Sequence, residues 1–213
     1  GLVATESGDG PRRPVNMAVL IDEQGQLAGT YSKMKLVPFG EVIPFETVVP
    51  FLRNVDFGEA DFIPGTDFTV FSTKAGSFSA LVCYESAFPR LVRRFVADGA
   101  DVLVNITNDV WYGRTSMPYQ HASMAVMRTV ENRRSLARSA NSGVSMLVDP
   151  YGRVLASSGI FEEGYLVGDL PMPEGTTFYA RRGDMFSWTV LAIAGLMVVL
   201  AVLHPRRGAP GIV

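Results

Sequence analysis

From Met185 to Leu203 the chain carries no charged residue, reading MFSWTVLAIAGLMVVLAVL. A helix of roughly 19 residues is about 28 Å long, close to the thickness of a bilayer's hydrocarbon core. No other feature limits the fold so strongly, because a helix that is apolar all round must lie in lipid or deep inside a large core. A core helix of this length ordinarily keeps a polar stripe, so the sequence favours a membrane span over residues 185–204. Trp188 stands near its start, where an interfacial aromatic belongs. The run lies at the C-terminal end of the chain, so it is no signal peptide. Arg181 and Arg182 precede it, and Arg206 and Arg207 follow it in a basic tail over 205–213, so the positive charges do not fix its orientation.

The rest of the composition removes several classes. The formal net charge is -2, from 19 basic and 21 acidic residues, which argues against nucleic acid as a partner. Ample apolar mass and low net charge rule out intrinsic disorder. Cys83 is the sole cysteine, so neither an internal disulfide nor a multi-cysteine zinc site is available. His121 and His204 are the only histidines, too few for a His-rich metal site, and no metal or cofactor is expected.

Along the chain, residues 1–15 are polar and rich in Gly and Pro, and read as a linker or a cut end. Met17–Asp22 and Leu27–Tyr31 flank a turn and predict a hairpin. Val37–Thr66 is apolar but aperiodic and holds four prolines, reading as a long loop that either folds onto the core or touches lipid. Phe68–Ser72 and Phe78–Cys83 predict a second hairpin, followed by a helix over Phe88–Asp98 and a buried strand over Asp101–Ile106. A helix is predicted over Pro118–Asn132, then strands at Ser135–Ser139, Val144–Val148, Val154–Ser157 and Tyr165–Leu170. Hairpins mixed with helical crossovers indicate an α/β sandwich.

Cys83 closes an apolar strand just before a helix, a corner that presents a side chain to a cleft. A thiol there is a candidate nucleophile if a cation lies near, although lone cysteines are commonly buried hydrophobes. Lys33 and Lys35 leave the first hairpin and are candidates for that cation, or are plain surface lysines. Glu41 and Glu85 sit in apolar settings and should be paired or shifted in pKa.

Taken together, Tyr31-Ser32-Lys33-Met34-Lys35-Leu36-Val37-Pro38-Phe39-Gly40-Glu41 resembles the lysine motif of bacterial apolipoprotein N-acyltransferases. Cys83-Tyr84-Glu85 is similar to their nucleophile motif. Asn108-Asp109-Val110-Trp111-Tyr112-Gly113, Gln120-His121 and Arg138-Ser139-Ala140-Asn141-Ser142-Gly143 also match in order. The likeness runs from about Asn16 to Arg207 and lies within the carbon–nitrogen hydrolase, or nitrilase-like, superfamily.

That resemblance implies an α-β-β-α sandwich over residues 16–172, N-terminally truncated, followed by one C-terminal transmembrane helix. It implies Cys83 as nucleophile, Lys33 rather than Lys35 as the triad lysine, and Glu41 and Glu85 as further glutamates needed for activity. Tyr84, Trp111 and Phe39 are the implied substrate contacts. The implied partners are a phospholipid acyl donor, a diacylglyceryl-apolipoprotein acceptor and the membrane. The resemblance places the enzyme in the bacterial cytoplasmic membrane, multi-pass as a whole, with its catalytic domain on the extracytoplasmic side. The triad's general-base glutamate belongs before the first hairpin, and residues upstream of Asn16 offer only Glu6, in a polar stretch expected to lack a strand. The chain therefore reads as a C-terminal fragment, inactive alone. The competing readings are a membrane-anchored amidase and a non-catalytic membrane-anchored binding module.

Overall fold

The computed structural model describes residues 2–5, 14–43, 62–172 and 174–204. Three antiparallel strands form the first sheet: β1 (Leu2–Thr5), β2 (Pro14–Ile21) and β3 (Leu27–Ser32), in that spatial order. The predicted hairpin is β2–β3, closed by a turn in which Asp22 Oδ1 accepts from the N–H groups of Gln24 and Gln26. β1 and the start of β2 show that residues 2–5 and 14–15, within the stretch read as a linker or a cut end, are strand. The four residues of β1 pair with Pro14–Met17, and Leu-Val-Ala-Thr is β-prone once a partner edge is present.

The second sheet has six strands in sequence order: β4 (Phe71–Thr73), β5 (Gly76–Val82), β6 (Val102–Asn108), β7 (Ser135–Asn141), β8 (Met146–Val148) and β9 (Val154–Ser157). β5, β6 and β7 run parallel, and hairpin pairs flank them on both sides. Parallel neighbours require crossovers, supplied by α1 (Pro89–Ala97) and α2 (Met117–Asn132). α1 starts with Pro at its first position and buries Leu91, Val92, Phe95 and Val96 on one face. Ser79 to Val82 of β5 are buried without alternation, as expected of a central parallel strand.

The two sheets share one core. Ala18 and Tyr31 of the first sheet lie in the same apolar cluster as Phe71, Ala80 and Leu81 of the second, with Phe95 from α1. The Tyr31 and Phe95 rings meet edge to face at 5.4 Å, and Phe71 stacks on Phe78 at 5.0 Å. The predicted strand over Tyr165–Leu170 does not form. Tyr165 and Val167 are exposed there, and among the described residues no strand pairs with the segment.

α3 (Phe178–Arg182) is capped by Thr177, whose Oγ1 accepts from Ala180 N at 2.9 Å. Gly183, at φ +60, then turns the chain into α4 (Met185–Leu203). None of the most apolar stretch of α4 is buried. That separates it from a core helix, and its 19 residues give it the length and composition of a membrane span. The expected apolar arm falls mostly on residues 44–61, outside the described residues. Its two ends meet: Phe62 N donates to Glu41 O at 3.1 Å, and Gly65 N donates to Lys33 O at 2.8 Å.

Candidate active site

The first half of the site is built where β3 runs out. The Lys33 backbone N–H still donates to Asn16 O on β2, which fixes the direction of its side chain. That side chain is fully buried, whereas Lys35, two residues later, is exposed. Buried ammonium groups need a counter-charge. Lys33 Nζ donates to Glu41 Oε2 at 2.6 Å and to Glu41 Oε1 at 2.8 Å. Glu41 comes back to that position because the chain turns tightly over Pro38–Val42, with Gly40 and Glu41 N–H groups both donating to Val37 O. Asn16 Nδ2 and Val37 N also donate to the Glu41 carboxylate, so both of its oxygens are committed. Phe39 lies in this turn, half exposed and at φ +62.

The second half is the corner after β5. Cys83 opens a short 3-10 turn, Cys83–Ala87, and has φ +55. A left-handed backbone costs a residue with a Cβ about 1–2 kcal/mol, so its neighbours must impose it. Three side chains do so. Glu85 Oε2 accepts from Val82 N at 2.8 Å; Asn105 on β6 donates to Leu81 O at 2.8 Å and to Cys83 O at 3.3 Å; Ser86 Oγ donates to Cys83 O at 3.5 Å. Cys83 remains partly exposed.

Glu85 joins the two halves. Its Oε1 accepts from Tyr31 Oη and from the backbone N–H groups of Met34 and Lys35. A single buried carboxylate thus ties the end of β3 to the cysteine turn. Burial pushes its pKa up from the ordinary value, against the pull of the four donated bonds. Burial and the adjacent carboxylate push the Tyr31 phenol up as well. Glu85→Gln places an NH2 group among four donors. It is expected to cost about 1–3 kcal/mol in thermal unfolding of the detergent-solubilised chain. In the wild type this site's contribution falls as pH rises from about 4.5 through the raised folded-state pKa. That part of the pH slope should vanish in the variant, and an unchanged slope would contradict the assignment.

A polar cluster that sequence reasoning passed over lies under the cysteine turn. Asp109 accepts from Thr107 Oγ1, from Arg138 Nη2 at 2.8 Å and from His121 Nδ1 at 2.9 Å. Arg138 also donates to Asn105 Oδ1, the same amide that holds Cys83 O. With Nδ1–H on Asp109, His121 Nε2 is left as an acceptor 3.4 Å from Ser86 Oγ, whose one proton is shared between it and Cys83 O. Burial alone would raise the Asp109 pKa. The His121 bond and the Arg138 charge outweigh it and hold the carboxyl below its usual range. Burial lowers Arg138. Asn105 and Arg138 are polar residues inside strand runs, and that was the available signal. Of the two, Arg138 entered the resemblance only as part of a longer match.

Tyr84 packs on Phe88 and His121, and Tyr112 meets the other side of His121 at 6.0 Å. Burial raises the Tyr112 phenol, and the nearby Cys83 thiol raises it further. Trp111, in the same turn as Tyr112, is 77% exposed. The structure therefore brings Lys33 and Glu41 into contact and gathers Cys83, Tyr84 and Glu85 in one turn. It leaves Trp111 and Phe39 on outer loops.

The carbon–nitrogen hydrolase profile matches residues 1–179 of the chain. An apolipoprotein N-acyltransferase of Geobacter metallireducens is 42% identical over 200 residues, covering 93% of this chain and 38% of that protein. Another, from Bradyrhizobium diazoefficiens, is 38% identical over 200 residues, covering 91% and 37%. The chain thus spans under two fifths of the length of these relatives. Among solved structures, a variant of the amidase from Nesterenkonia sp. AN1, with acrylamide added at its active-site cysteine, is similar at TM-score 0.61 and 27% identity. That match covers 89% of this chain and 67% of the amidase.

Proposed function

Because this chain belongs to the carbon–nitrogen hydrolase family, we propose that it is the thioester-forming part of an apolipoprotein N-acyltransferase. One observation carries the reading: a strained, partly exposed Cys83 and an exposed apolar span, α4, occur in a single chain. A hydrolase of small soluble amides has no use for that span, whereas an enzyme whose donor and acceptor are both lipids does. The relatives' names agree.

In this reading the Cys83 thiolate attacks the acyl ester carbonyl of a phospholipid. The Lys33 ammonium and the Tyr84 N–H, at the open start of the 3-10 turn, stabilise the oxyanion. The ester C–O bond breaks, lysophospholipid leaves with a proton, and a Cys83 thioester remains. The free α-amino group of a diacylglyceryl-cysteine then attacks the thioester; the C–S bond breaks, an amide forms, the thiolate returns, and the amine's proton passes to the general base, replacing the one that base gave to the lysophospholipid. Glu41 is fully occupied in holding Lys33, so the general base is a different carboxylate. Glu85 is a positioning residue. Tyr84, Trp111 and Phe39 border the acyl path, on the extracytoplasmic face of the bacterial cytoplasmic membrane.

The test is to give the native gene product a phospholipid with a labelled acyl chain and no acceptor. The expected result is an acyl-protein adduct, labile to hydroxylamine and discharged by a diacylglyceryl peptide. Release of free fatty acid with no transfer would favour an amidase-like hydrolase. No acylated protein at all would favour the non-catalytic reading.

A further inference from the structure

A second cleft lies away from Cys83, at the foot of the membrane span. It has a volume of about 330 Å³ and is lined by Arg90 and Arg93 of α1, Tyr179 and Arg182 of α3, and Met185 and Trp188 of α4. None of its lining residues belongs to the Lys33–Glu41–Cys83 group. Arg93 is fixed in place. Its Nε donates to Tyr179 O at 2.9 Å and Ala180 O at 3.0 Å, and its Nη2 donates to Arg181 O at 3.2 Å. Arg90 stands 3.5 Å from Asp184, the one acid in the lining. Three guanidiniums against one carboxylate leave the cleft cationic.

Two further features give this charge a direction. Asp184 makes no side-chain cap on α4, so first-turn N–H groups of a 19-residue helix add their positive end to the same wall. Trp188 is exposed one turn into the span, at the depth where interfacial aromatics meet headgroups. A cationic cleft whose floor is an interfacial Trp and whose wall continues as an apolar helix matches an amphiphile with an anionic head. We propose that it seats the phosphate of an anionic phospholipid, whose acyl chains lie along the outside of α4. The inference rests on α4 lying in a bilayer and is separate from the acyl-transfer reading.

The test measures lipid retention by native mass spectrometry on the detergent-solubilised chain in a Cys83→Ala background, where acyl transfer cannot contribute. The probes are dioleoyl-phosphatidylglycerol, dioleoyl-phosphatidylcholine and inorganic phosphate. Phosphatidylglycerol should be held more tightly than phosphatidylcholine. Arg90→Gln with Arg182→Gln should weaken phosphatidylglycerol retention about tenfold or more. Arg153→Gln, an exposed guanidinium elsewhere, should leave retention unchanged. Asp184→Asn breaks the same Arg90 ion pair while removing the cleft's one negative charge, and should strengthen retention; a merely structural role for these residues predicts the reverse. Equal retention of the two lipids, or an indifferent double variant, would overturn the proposal. Displacement of phosphatidylglycerol by millimolar inorganic phosphate would also overturn it, marking a free-anion site instead.

Discussion

Replacing Cys83 with alanine in the native gene product is expected to remove the hydroxylamine-labile adduct entirely and to cut acyl transfer by about a thousandfold or more. Alanine keeps a Cβ, so the strain at φ +55 persists and stability should barely change. Cys83→Gly makes a sharper comparison. It should be equally inactive, yet lose none of the hydrogen bonds that hold the corner, because those run to backbone groups of Leu81, Val82 and Cys83. Relief of left-handed strain should offset glycine's entropy cost and leave this variant at least as stable as Cys83→Ala. Intact-mass spectra and parallel thermal melts read both. A labelled adduct on either variant would remove Cys83 from the nucleophile's role. A glycine variant about 2 kcal/mol less stable than the alanine variant would show that the corner is not strained.

The second large effect concerns folding. Arg138→Met leaves Asp109 buried with one cation fewer and strips Asn105 Oδ1 of its donor. Breaking one side of a buried ion pair costs about 3–5 kcal/mol, about 10 °C in melting temperature for a chain of this size. The loss should be smaller in acid. Asp109 is held below its usual pKa, so the stability it contributes is present above the ordinary carboxylate range and disappears as pH falls through the folded-state value. Without Arg138 the folded-state value rises, so the variant has less of this stability to lose and its pH dependence should be flatter. Asp109→Asn combined with Arg138→Met should recover part of the loss, since no charge is then stranded. A cost below about 1 kcal/mol for Arg138→Met would mean that water reaches the cluster.

The architecture was largely legible in the sequence because the strong signals were local. Alternation, turn residues and the apolar faces of the helices located the two hairpins and both crossover helices within a few residues. β1 was not legible. Its four residues gain a reason to extend only from the edge of β2, a long-range pairing that composition cannot register. Tyr165–Leu170 failed the other way: it has the right residues and no edge to join. At the site, the strand end made Cys83 a candidate, whereas Lys33 was preferred to Lys35 only through the family resemblance. The Glu85 bonds to Met34 and Lys35 span fifty residues of chain, and the Asp109–His121–Arg138 cluster draws on β7, α2 and the end of β6. Such connections exist only once the sheet register is set.

The backbone bonds from Phe62 to Glu41 and from Gly65 to Lys33 close the intervening stretch at its base. Gly65 lies so near the Ser32 carbonyl that a Cβ there would collide with it, which keeps the closure tight. What lies between 43 and 62 is thus joined to Lys33 through a closed neck, and its length and composition are decoupled from the position of Lys33. Loop closure grows dearer by only about 0.6 kcal/mol for each doubling of length. Insertions or substitutions in that stretch can therefore accumulate while Lys33 and Glu41 keep their places.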